Sequence, residues 1–311
     1  MSVDRALLVV NPIRGGRVGQ QLARMKAVLR EGGVCCDVRF TEHKGHALEI
    51  ASRGMSEGYG TIVAVGGDGT VNEVVNAVVG SKVAVAALPL GAGNDFLRGL
   101  GIWTWEEACR GLVGGTTTAI DLGLAEYRDE AGDNRQRYYA VLADVGLGTE
   151  VAHNTPQRLK HALGGGLGYV VSLYRTAVRG QARACRMKVI VDGELRWDER
   201  LLVVEALNGM YAGGGLKVAP KAKVNDALLD VFMVRDMPWP MIWTLFPKIY
   251  RGTHIEHERG EYFQVREVAV EAEKSLRISV DGEVVGHTPA RFTLIPGGLK
   301  VRCPRGARDA L

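Results

Sequence analysis

The sequence predicts an α/β domain, a parallel sheet with helices on both faces, followed by a mainly antiparallel β domain with one helical insertion. Three observations predict it. Through residue 125, short continuous apolar runs alternate with stretches of helical periodicity, the pattern of strands buried on both faces. From about residue 126, strand-like runs follow one another, and Asp192-Gly193 and Asp281-Gly282 each sit between two of them as hairpin turns. A single long segment, residues 157–179, reads as helix within that half. The 311 residues suit two domains, expected at 1–125 and 126–311, with the last residues returning to the first domain.

Residues 6–10 form an apolar run ending at Asn11-Pro12, where a buried strand stops. Over 20–30, Leu22, Met25, Val28 and Leu29 share one helical face, and Gly32-Gly33 supplies the C-terminal stop. A strand over 34–40 places Cys35-Cys36 in the core. A helix over 46–53, a strand over 61–65, a helix over 71–79, a strand over 83–88 and a helix over 105–113 complete the first half. Residues 127–137 are polar and form a loop or hairpin tip. Further strands are expected over 138–144, 187–191, 201–207, 229–234, 264–272, 276–280 and 291–295. No repeat of 20–50 residues is present.

Composition excludes several classes. Hydrophobic residues make up 46% and charged residues 24%, which rules out a disordered chain. The 41 glycines have no period, so the chain is not collagenous. No apolar run reaches the roughly 20 residues of a membrane span, and the first residues lack the shape of a signal peptide. Five cysteines without a C-x-x-C pair fit a reducing cytoplasm. His254-x-x-His257 lacks a third ligand and reads as a pair of solvated histidines.

The sharpest motif is Gly66-Gly67-Asp68-Gly69-Thr70-Val71-Asn72-Glu73, joining a strand to a helix. Thr70 and Glu73 have capping-box spacing, and Val71, Val74, Val75, Val78 and Val79 make a core-facing stripe. Capping does not explain three glycines around an acid. Amide groups at a helix start attract phosphate, and the acid needs a metal or a hydrogen-bond donor beside it. The motif therefore predicts a nucleotide-phosphate loop, with Asp68 near a metal or the transferring phosphate. Asn11-Pro12-Ile13-Arg14-Gly15-Gly16 and Pro89-Leu90-Gly91-Ala92-Gly93-Asn94-Asp95 follow two other strands of the same sheet. There is no P-loop, protein-kinase or dinucleotide fingerprint.

In order and spacing these three loops resemble the bacterial diacylglycerol kinase and sphingosine kinase family of lipid kinases. The resemblance continues through Ile120-Asp121-Leu122-Gly123, Asn208 with Gly213-Gly214-Gly215, Ala219-Pro220, Leu229-Asp230-Val231 and Asp281-Gly282-Glu283, nearly the whole chain. It implies an α/β nucleotide-binding domain, a β-sandwich-like second domain and an active site in the cleft between them. It places ATP on Gly66, Gly67, Asp68, Gly69, Thr70, Val71 and Asn72, with Asn11, Thr41 and Asn94 nearby. Ala92 stands where the family has a hydroxyl residue, which removes one donor to phosphate.

Val-Asp-Gly-Glu occurs twice, at 191–194 and 280–283. Each reads as a hairpin turn. The resemblance makes Glu283 the catalytic base and leaves Glu194 solvated. It also implies Mg2+ held by Asp226 and the carbonyls of Lys223 and Leu228, with Asp121 linking this ion to the active site through water. An oxygen-only shell suits Mg2+. Relatives have Asp-Gly where this chain has Asp226-Ala227, so a left-handed turn there is strained.

Residues 151–191 contain no acid and carry Arg158, Lys160, Arg175, Arg179, Arg183, Arg186 and Lys188. With Leu159, Leu163, Leu167, Val170, Val171 and Leu173 they make a basic amphipathic element suited to anionic lipid headgroups. No nucleic-acid module accompanies it. The expectation is an ATP- and Mg2+-dependent kinase of diacylglycerol or a related lipid alcohol, cytoplasmic, in transient contact with an anionic membrane. A homodimer is compatible with the sequence. The alternatives are a NAD kinase-like enzyme acting on a soluble substrate and a non-catalytic nucleotide- or lipid-binding regulator.

Overall fold

The computed structural model describes residues 5–12, 17–155, 165–178 and 183–305. Gly15, Gly16, Arg158, Lys160 and Arg179 lie outside them. The chain forms two compact units, residues 1–121 with 296–311, and residues 122–295.

In the first unit the elements are β1 (Arg5–Val10), α1 (Arg17–Glu31), β2 (Cys35–Phe40), α2 (His46–Ser56), β3 (Thr61–Gly66), α3 (Asp68–Val78), β4 (Ala84–Pro89), α4 (Asp95–Gly99) and α5 (Trp105–Gly114). The strands run parallel in the order β2, β1, β3, β4. Leu7, Leu8, Val9 and Val10 of β1 are fully buried, as are Ile62 to Val65 of β3, as strands covered on both faces must be. Val71, Val74, Val75 and Val78 of α3 are buried as the stripe predicts. Late residues return to this unit, where Val301 pairs in parallel with Val85.

Three expectations for this unit are corrected. The third helix begins at Asp68 rather than residue 71, with Gly67 as its N-cap, so Thr70 lies inside the first turn and forms no capping box. Glu73 instead accepts the N–H groups of Gly45 and Ala47 at 2.9 and 3.0 Å, capping the start of α2. A capping box does form at Thr104 and Glu107, ahead of α5. Cys35 is exposed and Cys36 half-buried, because β2 is the edge strand of this sheet.

The boundary between the units falls within β5 (Thr116–Arg128). The second unit continues with β6 (Asn134–Tyr139), β7 (Leu142–Gly146), α6 (Leu147–Asn154), α7 (Gly165–Val178), β8 (Cys185–Val191), β9 (Glu194–Leu207), β10 (Leu229–Arg235), α8 (Trp239–Arg251), β11 (Gly260–Val265), β12 (Glu267–Ala272), β13 (Arg277–Val280) and β14 (Glu283–Cys303). β5 and β6 pair as a hairpin around residues 129–133. Antiparallel pairings link β9, β7, β13, β14, β12 and β8, and β8 returns to β9. The result is a sandwich-like circuit in which the long strands β9 and β14 serve both faces. Val145, Val204, Val231, Met233, Ile278 and Phe292 lie in its core.

Both Asp-Gly turns have left-handed backbones, with φ of 48° and 87° at Asp192 and Gly193 and 47° and 78° at Asp281 and Gly282, as type I′ hairpins require. Two expected strands are interrupted. The run 138–144 breaks at Ala140-Val141, and 264–272 breaks at Arg266, where pairing passes from β10 to β8 and β14. His254 is buried, with its Nε2 at 2.9 Å from the Val218 carbonyl, and burial lowers its pKa to about 4. It is a neutral core histidine rather than a solvated one.

Candidate functional site

In the first unit the parallel register aligns the strand ends. Val10 lies beside Phe40 and Val65, and Gly66 beside Pro89. Asn11, Thr41, the Gly66–Thr70 loop and the loop after Pro89 therefore emerge from one sheet edge, where open α/β sheets bind ligands. The Asn11 N–H donates to the Val65 carbonyl at 3.0 Å and its Nδ2 to Thr70 Oγ1 at 3.3 Å. Thr41 is buried, its N–H donating to the Val10 carbonyl at 2.9 Å.

The glycines have a steric reason. A Cβ on Gly91 would come within 2.5 Å of the Gly67 Cα, so the second and third loops touch backbone to backbone. Leu90 and Gly91 both donate N–H groups to the Gly66 carbonyl, at 3.0 and 3.2 Å. Gly67 has no side chain to cap α3, which leaves the start of an 11-residue helix suited to an anion. This backbone cradle fits a nucleotide phosphate.

Asp68 is held at the start of α4, which follows the third loop. Its Oδ1 accepts the Phe96 N–H at 3.2 Å, the hydrogen-bond donor that an acid in a phosphate loop needs. Asn94 adopts φ 55° and its Nδ2 donates to the Gly91 carbonyl at 2.9 Å. Ala92 is half-buried between them, and Asn72 is fully buried. Asp121 is buried too, and its Oδ1 accepts the Gly297 N–H at 2.8 Å. Sequence reasoning missed a neighbour of Thr41. His43, His46 and Glu49 bring three ligand atoms within 4.8 Å of one another, but the imidazoles stack with ring centroids 4.6 Å apart and His46 Nδ1 accepts the Glu42 N–H.

In the second unit the two Val-Asp-Gly-Glu copies part company. Glu194 has a side chain 77% exposed near Arg196, and Asp192 Oδ1 accepts the Glu267 N–H. Glu283 has a side chain only 24% exposed, and Arg137 Nη2 donates to its Oε2 at 3.1 Å. Two residues earlier, Asp281 accepts three backbone N–H groups, from Ala140 at 3.1 Å and from Val141 and Leu142 at 3.0 Å. Buried Asn208 completes the clamp: its Nδ2 donates to the Ala140 carbonyl and its N–H to the Val141 carbonyl. The break in the expected strand at 140–141 is thus a bound segment with its backbone groups satisfied. Gly123 has its own reason: a Cβ there would lie 2.1 Å from the Tyr139 ring, which fills the adjoining core.

The turn holding Lys223, Asp226 and Leu228 has Ala227 at φ 62°, the strained left-handed conformation expected of a residue with a Cβ. Asp226 Oδ1 accepts the Leu228 N–H at 3.1 Å and Oδ2 the Gln264 Nε2 at 3.3 Å. Asp226 is half-exposed, and its carboxylate is an oxygen donor of the kind that Mg2+ takes.

A second acidic group was not foreseen. Asp144 of β7 and Glu205 of β9 are cross-strand neighbours and both are buried. Thr149 Oγ1 donates to Asp144 Oδ1, and Ser279 Oγ donates to Oδ2. Burial raises the Asp144 pKa to about 6 against these donors. Burial and then the charge of Asp144 raise that of Glu205 to about 8. Asp144 sits among apolar residues of β7 and Glu205 in the apolar second half of β9, so their spacing carried no motif.

Two family models match the chain. Residues 5–125 match the diacylglycerol kinase catalytic domain, and residues 143–303 match the YegS C-terminal NAD kinase beta sandwich-like domain. A Pseudomonas aeruginosa protein named "Probable lipid kinase YegS-like" is 32% identical over 309 residues, covering 99% of this chain and 97% of its own. A crystal structure of a diacylglycerol kinase from Bacillus anthracis shares the fold, with a TM-score of 0.72 at 19% identity over 99% of both chains. Yeast NADH kinase complexed with NADH is more distant, with a TM-score of 0.56 at 10% identity, covering 98% of this chain and 84% of its own.

Proposed function

The chain belongs to the YegS-like lipid kinase family, with its diacylglycerol kinase catalytic domain, and on that premise we propose that it transfers the γ-phosphate of ATP to the hydroxyl of diacylglycerol or a related lipid alcohol, with Mg2+. The observation that carries this reading is the asymmetry of the two Val-Asp-Gly-Glu copies. Asp281, two residues before Glu283, accepts three backbone N–H groups from residues 140–142, with Asn208 bonded to the same segment, whereas among the described residues Asp192, two before Glu194, accepts one, from Glu267.

In this reading Glu283 takes the proton of the lipid hydroxyl as its oxygen attacks the γ-phosphorus. The bond from that phosphorus to the bridging oxygen breaks, and ADP leaves. Arg137 orients Glu283, and the Asp281 clamp fixes the backbone that carries it. The amides at the start of α3, with Asn11 and Thr41, hold the triphosphate. Asp226 and the carbonyls of Lys223 and Leu228 would hold Mg2+. When bound, that ion supplies positive charge and fixes its loop. Asp121 then serves as a positioning residue.

The test is transfer of labelled phosphate from ATP to a total bacterial lipid extract and, separately, to NAD. Labelled phospholipid supports the proposal. Labelled dinucleotide with unlabelled lipid replaces it with the NAD kinase-like reading, and ATP binding without transfer to either supports the regulator.

A further inference from the structure

A second acid-free segment accompanies the basic stretch at 151–191. Residues 237–255 contain no Asp or Glu, and they carry Lys248 and Arg251. Aromatic residues are 6% of the chain, yet α8 alone holds Trp239, Trp243, Phe246 and Tyr250 within 13 residues. The two segments meet. The ring of Tyr174 on α7 lies 5.6 Å from that of Trp243 on α8, and Trp243 packs edge-on against Trp239, also at 5.6 Å.

Each helix has two faces. Ile242 and Leu245 of α8 are buried, as are Ser172, Leu173 and Thr176 of α7. Outward lie Tyr174, 54% exposed, and Tyr250, 47% exposed, with Arg175, Lys248 and Arg251 exposed as well. Trp239 and Trp243 are half-buried between the faces. Trp and Tyr with an apolar body and a polar edge, interleaved with cations and free of carboxylates, match the interface of a bilayer in polarity and the surface of an anionic one in charge. An acidic protein partner would also meet the charge, but the Trp and Tyr content favours the lipid interface. No described helix is long and apolar enough to cross a membrane, so this face meets the bilayer from outside.

We propose that the α7–α8 face is the surface by which this kinase docks on anionic membranes, with Tyr174 and Tyr250 at the headgroup level and Arg175, Lys248 and Arg251 on the lipid phosphates. The inference rests on the lipid-alcohol reading for its purpose, but vesicle binding is measured without ATP and stands or falls separately.

The experiment is sedimentation of the full chain with phosphatidylcholine vesicles and with vesicles containing 30% phosphatidylglycerol, a fraction on the order of the anionic content of a charged leaflet. Wild type is expected to partition at least tenfold more strongly onto the anionic vesicles, with high salt abolishing the difference. The combined Arg175→Glu, Lys248→Glu, Arg251→Glu variant is expected to lose that gain, and Tyr174→Ser with Tyr250→Ser to weaken binding to both vesicles. Arg196→Glu, at the exposed start of β9, is the charge control and is expected to bind as wild type. Activity on a short-chain, detergent-dispersed diacylglycerol is expected to be unchanged in the charge-reversed variant. Equal partition onto the two vesicles, or full anionic binding by that variant, overturns the proposal. A failure to phosphorylate any lipid, with vesicle binding intact, overturns the lipid-alcohol reading alone.

Discussion

Leu142 and Asp281 are bonded in both directions: the Leu142 N–H donates to Asp281 Oδ1 at 3.0 Å, and the Asp281 N–H donates to the Leu142 carbonyl at 2.8 Å. With the N–H groups of Ala140 and Val141 also on this carboxylate, Asp281→Ala strands three backbone donors and places a Cβ residue without local hydrogen bonding at φ 47°. The expected loss is about 3 kcal/mol in urea unfolding. Asp281→Asn keeps an acceptor and tolerates the left-handed backbone, so it is expected to lose about 1 kcal/mol. Equal losses would show that the carboxylate is not the clamp.

Glu283→Gln is expected to lower turnover on lipid by about 10²–10⁴-fold, while Glu194→Gln leaves it unchanged. Circular dichroism and ATP affinity should be those of wild type in both. The reverse pattern in the turnover assay would transfer the base to the other hairpin.

On the proposed Mg2+ site, Mg2+ is expected to raise the melting temperature of the wild type relative to EDTA, and Asp226→Asn is expected to abolish that rise. Ala227→Gly relieves a Cβ at φ 62° and is expected to stabilise the chain by about 1 kcal/mol. A destabilised glycine variant would mean that Ala227 makes a packing contribution larger than its strain.

Glu205 carries a pH dependence. Its pKa rises from 4.5 to about 8 on folding, chiefly by burial, so the native state binds a proton more tightly than the unfolded chain. Stability is therefore greatest at and below the unfolded value and falls as pH climbs towards 8. Asp144, raised to about 6, adds to the lower part of this window. Glu205→Gln is expected to flatten the decline between pH 5 and 9 by a few kcal/mol in chemical denaturation. An unchanged slope would place the Glu205 ionisation elsewhere.

Gly91→Ala drives a methyl group to 2.5 Å from the Gly67 Cα and must separate the two loops. It is expected to cost about 2 kcal/mol of stability and at least tenfold in ATP affinity by calorimetry. Gly99→Ala, with open space around its Cβ inside α4, is the control and is expected to be neutral or slightly stabilising.

The first unit was legible because its strands are apolar runs bounded by glycine loops: residues 61–65 and 83–88 correspond closely to Thr61–Gly66 and Ala84–Pro89. Both hairpins were legible for the same local reason. What escaped was decided by distant partners. The strand expected over 138–144 breaks because Asp281 and Asn208, far along the chain, take its backbone groups. The helix Trp239–Arg251 was hidden by Pro240 and Pro247 and by aromatics that read equally well as strand. Glu73 looked like a local cap for Thr70, whereas it caps α2, some 26 residues upstream. Among the candidate residues, the Val-Asp-Gly-Glu repeat placed Glu283 and Glu194 in equivalent turns; the resemblance chose between them, and their surroundings differ, Glu283 being bonded by Arg137 and Glu194 largely exposed.

The parallel pairing of Val301 with Val85 bears on biosynthesis. As the polypeptide leaves the ribosome, the glycine-loop half can collapse early, but its sheet lacks one neighbour for β4 until more than two hundred further residues have been translated. Truncation shortly before residue 301 should therefore injure the half made first, and a nonsense mutation late in the gene should behave as a lesion of nucleotide binding.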